Sequence, residues 1–407
     1  AAEMAFGASL DIEMGVSNYH RSLEALVKAG RIDEAEIDHH VRRILTYKYQ
    51  AGLMDDPYRF IRPDLEALLY CEDHLKVAYE LAAESMVLLK NDGILPLKHG
   101  QSIALIGPKA HSTDLSGPWQ FSRREKDCKR LLEVLQSTAT HVQYEAGCSV
   151  NKALDGGIER AVAACGHVDV VVLCLGESKQ MSGEASSLQD IHLPACQMAL
   201  AEAVLATGKP VVLVLTNGRP LLLGSLTEQV NGLLETWFLG SKAAEAITAA
   251  LYGEVNPSGK LTMSWPMHLG QIPVYYNCYG TGRPLVKGSA NKFQSMYLDG
   301  PNDPLYAFGY GLSYTQFDVS DIAYSHTTFG REDRISVTFT VENTGDRPGA
   351  EVVQLYYQDK VAKRARPLRQ LLRFHKVVLA PQERQTITLD FTWEDLAYYD
   401  QNYVKTL

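Results

Sequence analysis

At 407 residues, 46% hydrophobic and 21% charged, the chain has the composition of ordinary globular material and room for two or three domains. A net charge of −9, without a Lys/Arg block suited to phosphate, argues against nucleic acid and for neutral ligands; no apolar run reaches the roughly 18 residues of a membrane-crossing helix. Seven scattered cysteines (Cys71, Cys128, Cys148, Cys165, Cys174, Cys196, Cys278) with no Cys-x-x-Cys pair disfavour a metal centre or disulfide framework and favour a reducing, cytoplasmic compartment.

The opening residues hold neither a start methionine nor a basic segment followed by an apolar one. No signal peptide is visible, and the chain is expected to begin within a longer pattern. Over 22–51, apolar residues recur at helical spacing (Leu23, Leu26, Val27, then Ile37, Val41, Ile44, Leu45), with Gly30 separating two helices. Two short amphipathic helices bury too little surface to stand alone, so they are expected to need a partner. Residues 55–71 read as an exposed connector, with Pro57 and Pro63 stopping helices on either side.

A helix is expected over 72–89, followed by the turn Asn91-Asp92-Gly93. Continuous apolar runs at 103–106, 168–175, 211–215 and 232–236 read as buried parallel strands. Helical stretches at 131–136, 157–164, 196–206 and 242–251 supply the crossovers of an α/β fold. No G-x-G-x-x-G or Walker sequence follows a strand, which removes a nucleotide reading, and no G-x-S-x-G elbow supports a serine hydrolase. Residues 267–317, rich in Gly, Pro, Asn and Tyr, read as a long ordered connector. Short alternating segments at 335–342, 351–358, 374–379 and 385–391 then describe an antiparallel β-sandwich. Its last strand, near 399–403, is expected to lack a return partner and leave an open sheet edge.

After the run at 168–175 the sequence is Gly-Glu-Ser-Lys-Gln-Met-Ser-Gly-Glu-Ala-Ser-Ser. Two carboxylates, Glu177 and Glu184, therefore lie beyond the carboxyl end of a strand, where α/β sheets bind ligands, and spacing alone does not separate them. Trp119, in Ser116-Gly117-Pro118-Trp119, also sits in a loop after a strand, where an indole either packs on a sugar face or fills a core. Arg283, before Pro284, is placed to donate to sugar hydroxyls or to staple its own loop by an ion pair. Arg123 and Arg124, after the polar Gln120 and Ser122, read as a solvated pair. The doublet His39-His40 has no third ligand at useful spacing, so no metal site is expected.

Two segments are specific enough to suggest a family. Asn256-Pro257-Ser258-Gly259-Lys260-Leu261 and Phe308-Gly309-Tyr310-Gly311-Leu312-Ser313-Tyr314-Thr315 resemble signatures of the family 3 glycoside hydrolases, the β-glucosidase and β-xylosidase group, with Thr262 where Pro is usual. Val87-Leu88-Leu89-Lys90-Asn91, Leu95-Pro96-Leu97, Thr216-Asn217-Gly218-Arg219-Pro220 and residues 345–356 are similar to further blocks. The resemblance implies the end of a (β/α)8 barrel over 1–54, a linker over 55–71, an α/β sandwich over 72–266, a connector over 267–317 and a fibronectin type III-like domain over 318–407. It implies retaining hydrolysis of terminal β-glucosyl residues from glucosides or small oligosaccharides. Two carboxyl groups roughly 5 to 5.5 Å apart do that work. By resemblance Glu184 is the acid/base, with Glu177 the runner-up.

The family's nucleophilic Asp and the barrel's Lys-His pair are not in this sequence. The barrel domain is thus an expected partner, and the chain alone is expected to be inactive. Asp11 and Glu13, in Leu10-Asp11-Ile12-Glu13-Met14, resemble the last barrel segment, where packing and helix capping are the expected roles. Leu188 stands where relatives tend to carry Arg. No metal or organic cofactor is implied, nor a membrane or nucleic-acid partner, and a homo-oligomer is left open. The alternatives are a β-xylosidase of the same family and a non-catalytic carbohydrate-binding or interaction module.

Overall fold

The computed structural model describes the chain except residues 121–127, 140, 287 and 290, so Ser122, Arg123 and Arg124 lie outside the described residues. The chain forms two compact units, 1–71 and 72–407.

The first unit is helical, with α1 Ala2–Gly7, α2 Asn18–Lys28, α3 Glu34–Gln50 and α4 Leu65–Leu68. Asp33 caps α3 by accepting the Ala35 amide at 3.0 Å. Phe6 is buried, stacked on His40 at 4.0 Å and edge-on to Tyr19 at 5.8 Å. Asp11 holds this small core together: its Oδ1 lies 2.7 Å from His40 Nδ1 and accepts from Arg43, whose guanidinium keeps the carboxyl below its usual range. Glu13 accepts the Tyr19 amide at 2.7 Å in the first turn of α2. Both acids are thus engaged in packing and capping, while Val41, Leu45, Tyr47 and Tyr49 on α3 stay exposed.

The second unit opens with α5 Glu72–Ser85, and here the expected helix over 72–89 is corrected. The chain turns at Met86 into a strand, β1 Val87–Asn91. Val87 and Leu89 enter one core and Leu88 the other, and only an extended backbone sends neighbours to opposite sides. There follow β2 Ser102–Ile106, α6 Leu131–Thr138, β3 His141–Glu145, α7 Gly157–Cys165, β4 Val170–Gly176, α8 Ala195–Leu205, β5 Val211–Thr216, α9 Leu226–Gln229, β6 Gly232–Glu235 and α10 Ala243–Tyr252. The six strands form one sheet in the order β1-β6-β5-β4-β2-β3. All neighbours are parallel except β1, which runs antiparallel to β6 at the edge.

β4 and β5 are buried along their whole length, as a strand covered by helices on both faces must be. Val170, Val172 and Cys174 point to one core and Val171, Leu173 and Leu175 to the other. Each fully buried Leu or Val contributes about 1.5–3 kcal/mol relative to exposure, which ties the apolar runs to this central position. From β2 the chain crosses outward to β3, returns past β2 to β4, and then moves the other way through β5 and β6. The crossovers diverge between β2 and β4, and a sheet of this kind leaves a crevice at the carboxyl ends of the two strands.

The last part of the unit is a sandwich of a three-stranded sheet and a two-stranded sheet. β7 Phe317–Tyr324, β8 Arg334–Asn343 and β11 Arg384–Thr392 form the first, and β9 Gly349–Tyr357 with β10 Gln370–Leu379 the second. Val337, Phe339 and Val341 of β8 meet Val377 and Leu379 of β10 and Ile387 and Leu389 of β11 between the sheets. A short helix, α11 Trp393–Leu396, leads to β12 Tyr398–Tyr399, which pairs with β13 Lys405–Thr406. The return partner expected to be absent is therefore present: Asp400 accepts the Asn402 and Val404 amides at 2.8 and 3.0 Å and turns the chain back.

The two signature segments clasp the edge of the α/β sheet to the sandwich. Asn256 Oδ1 accepts from Ser313 Oγ and the Tyr314 amide, both at 2.8 Å, and its Nδ2 donates to Pro348 O at 3.1 Å. Lys260 Nζ donates to Gly311 O at 2.8 Å and pairs with Glu351 at 2.8 Å. A Cβ on Gly259 would come within 2.5 Å of Met86 O, and one on Gly311 within 2.3 Å of Gly259 O, so neither position admits a side chain.

Candidate active site

Four loops converge where β2, β4, β5 and β6 end. Gly107, at φ 115°, ends β2, and a Cβ there would meet Cys174 O at 2.2 Å. Gly176, at φ 139°, ends β4 against Thr216 O. These glycines let neighbouring backbones close together just where the side chains become polar.

The floor of the crevice is charged and buried. Glu177 is 0% exposed. Its Oε2 accepts the Gly218 amide at 3.0 Å, and its Oε1 lies 3.0 Å from Arg219 Nε, too misaligned for a hydrogen bond and therefore a Coulombic contact. Burial raises the Glu177 carboxyl above its ordinary value, and the Gly218 amide and Arg219 oppose that. Lys109, 1% exposed, donates to Glu177 O at 2.9 Å and Asp114 O at 2.7 Å, with its ammonium 5.7 Å from the Phe238 ring centroid. Desolvation lowers its pKa to about 8 against the pull of Asp114 and Glu177. Glu235, also fully buried, accepts the Trp237 amide at 2.7 Å, while its Oε2 has no hydrogen-bond partner among the described residues. Burial, reinforced by the Glu177 charge, pushes Glu235 well above the usual carboxylate range.

Above this floor rises the loop that bears Glu184. Arg219 reaches it from below: Nη2 donates to Met181 O and, at 2.9 Å, to Ser186 O, so one guanidinium fixes both ends of the segment 181–186. A Cβ on Gly218 would lie 2.3 Å from Ser182 Oγ, so that glycine lets the loop seat closely. Lys179 N donates to Asp114 Oδ2 at 2.8 Å and ties the loop to the one after β2. Glu184 itself is exposed at the crest, and its carboxylate has no hydrogen bond or ion pair with any described residue. The next residue, Ala185, takes φ 58°, a left-handed conformation that costs a residue with a Cβ about 1–3 kcal/mol.

The sequence left Glu177 and Glu184 together; burial separates them. Glu177 is enclosed beneath the loop and Glu184 is accessible on it. Trp119 is 60% exposed rather than packed in a core, and a Cβ on Gly183 would lie 3.7 Å from its Nε1, so the indole stands beside the Glu184 loop. Arg283 is exposed on the connector, where its carbonyl accepts the Ser295 amide at 2.8 Å. Among the described residues its guanidinium forms no ion pair, and no hydrogen bond or ion pair joins it to the Glu184 loop. Leu188 is exposed, and the nearby guanidinium contact to Ser186 comes from Arg219. Lys109, Arg219 and Glu235 were missed as site residues. The clearest signal was Glu235, a carboxylate ending the apolar run Gly232-Leu233-Leu234. Among the described residues no His/Cys/Asp/Glu group could hold a metal ion, and no helix is long and apolar enough to cross a membrane.

Residues 86–314 match the glycosyl hydrolase family 3 C-terminal domain, more than half of the chain. The chain belongs to glycosyl hydrolase family 3. Residues 351–406 of this family 3 chain match a fibronectin type III-like domain. It is similar to the periplasmic beta-glucosidase of Salmonella typhimurium, 39% identical over 98% of this chain and 56% of that one, and to a beta-xylosidase of Formosa agariphila, 34% identical over 98% and 57%. Structures of the beta-glucosidase from Listeria innocua, one with glucose and one with laminaribiose, superpose with a TM-score of 0.90 at 38% identity over 100% of this chain and 56% of theirs. The family 3 chain thus spans a little over half the length of the relatives it matches.

Proposed function

We propose that this chain carries the acid/base half of a retaining β-glucosidase, with Glu184 as the acid/base and the nucleophile supplied by the barrel domain of the full-length protein. The observation that carries the reading is Glu184 itself: an accessible, unpaired carboxylate on a loop pinned at both ends, at the carboxyl edge of the sheet. The nucleophile attacks the anomeric carbon while Glu184 protonates the departing oxygen. Glu184 then takes a proton from the water that releases the sugar. Trp119 offers an apolar wall beside the loop that bears that carboxyl. Glu177 acts through Arg219 as a positioning residue.

The names of the Salmonella and Listeria relatives favour β-glucosides, and the glucose and laminaribiose complexes fit a gluco-configured substrate. The Formosa relative favours β-xylosides as a second reading. In the full-length protein, residues 1–54 would complete the barrel, with the apolar exposed face of α3 covered by it. For the compartment, the Salmonella relative's name favours the periplasm over the cytoplasm that the cysteines suggested. Burial pushes the Cys165 thiol up to about 11 and Cys174 higher still, which keeps both in the thiol form.

The test uses the full-length protein. Glu184→Ala is expected to slow substrates with poor leaving groups by about 10²- to 10⁴-fold and activated aryl glucosides far less, with azide restoring turnover by attacking the glycosyl-enzyme. Unchanged turnover in Glu184→Ala sinks the assignment.

A further inference from the structure

Residues 360–369, between β9 and β10, carry Lys360, Lys363, Arg364, Arg366 and Arg369 in a chain of net charge −9. In the structure the first four of these cations line a concavity of about 570 Å³ together with Asp359 and Gly280.

Their surroundings leave positive charge in excess. Arg366 is fixed: it lies 4.6 Å over the Tyr398 ring, donates to Tyr357 Oη at 3.0 Å and stands 4.0 Å from Asp359, the one acid of the concavity. Lys360, Lys363 and Arg364 are exposed and form no ion pair with a described residue. The neighbouring acid, Asp400, accepts the Val404 and Asn402 amides, which together with the charges of Arg364 and Lys363 hold its carboxyl below the usual range, so it offsets part of that charge and the cations still outnumber the acids. Three like charges held around one hollow repel one another, and a bound anion relieves that repulsion. One exposed ring adjoins it: Tyr279, next to Gly280 and bridged to Pro367, is 60% exposed.

We propose that this concavity is a carbohydrate-binding site for a glycan chain bearing carboxylate or sulfate groups, the cations taking the oxyanions and the exposed Tyr279 ring a sugar face. Cations alone would hold any anion; the adjoining Tyr279 ring selects one carried on a sugar. The site lies in the sandwich and does not depend on the Glu184 reading.

The test measures binding of this chain to polygalacturonate and to dextran sulfate, with neutral dextran as reference, by calorimetry at low salt. The triple variant Lys360→Ala, Lys363→Ala, Arg364→Ala is expected to bind at least about tenfold more weakly, while a control triple at exposed Lys98, Lys129 and Lys152 keeps its affinity. The charge-preserving variant Lys360→Arg, Lys363→Arg, Arg364→Lys separates lost binding from lost folding, and it is expected to bind as wild type does. Tyr279→Ala is expected to weaken polygalacturonate but leave inorganic sulfate unchanged, which distinguishes a glycan from a free anion. Equal losses in the two alanine triples, or tighter binding of a single-stranded oligonucleotide than of either glycan, overturns the proposal.

Discussion

The crevice at the carboxyl ends of the strands and the clasp at the sheet's edge are both built from polar groups on glycine-supported backbone, yet they are finished differently. In the clasp, Asn256 uses both ends of its amide and Lys260 meets both Gly311 O and Glu351. In the crevice, Asp114 Oδ1, Asn217 Oδ1 and Glu235 Oε2 are buried without a hydrogen-bond partner among the described residues, and Ala185 and Trp237 both take positive φ. Buried polar atoms left open cost stability, and a fold that tolerates several in one place is organised there for something other than stability. The segments that betray the family, Asn256–Leu261 and Phe308–Thr315, are therefore structural, whereas the chemistry proposed above falls in a loop of far less distinctive wording.

The comparison breaks most visibly at Arg219. Arg219→Ala removes the partner of a fully buried carboxylate and both anchors of the 181–186 loop, and it is expected to destabilise the fold by about 3–5 kcal/mol in urea denaturation. Arg219→Lys keeps a charge but not the two-pronged grip, so it should recover much of the stability while kcat of the full-length enzyme stays low. Loss of kcat without loss of stability is the signature of a positioning residue; parallel recovery of both reduces Arg219 to a structural one. On the clasp the opposite pattern is expected. Asn256→Ala strands the Tyr314 amide and Pro348 O and should cost about 2 kcal/mol, with kcat per folded molecule unchanged.

The smallest effect concerns Glu235. Because burial raises its pKa, the folded state keeps a proton that the unfolded chain releases near the ordinary value of 4.5. The native state therefore binds more protons above that value, and stability falls as pH rises toward the raised folded pKa. Between about pH 5 and about pH 8 the Tm of the wild type should drop by about 2–4 °C more than that of Glu235→Gln, whose neutral amide does not titrate. Parallel pH profiles would show that Glu235 is not desolvated in solution.

What was legible from sequence follows the physics of burial. β2, β4, β5 and β6 stood out because strands buried on both faces are continuously apolar, and the strands of the sandwich stood out by alternation. β1 was absorbed into the preceding helix because Met86-Val87-Leu88-Leu89 suits either structure until two separate cores pull its neighbours apart. β3, His141–Glu145, and β7, Phe317–Tyr324, went unread because edge strands carry polar residues. Within the site, Glu184 and Trp119 could be named from loop position, but the grip of Arg219 on residues 181 and 186 joins segments over 30 residues apart, which no local pattern encodes.

The clasp also changes what the connector does. Residues 86–89 are held to 310–312 through the Leu88–Leu312 bridge and the Tyr310 hydroxyl on Leu89 O, and residue 256 is held to 348. A proteolytic cut in the exposed stretch 282–285 would sever the covalent path between the layers without opening either contact. The nicked protein would still migrate as a single species under native conditions, its halves parting only in denaturant.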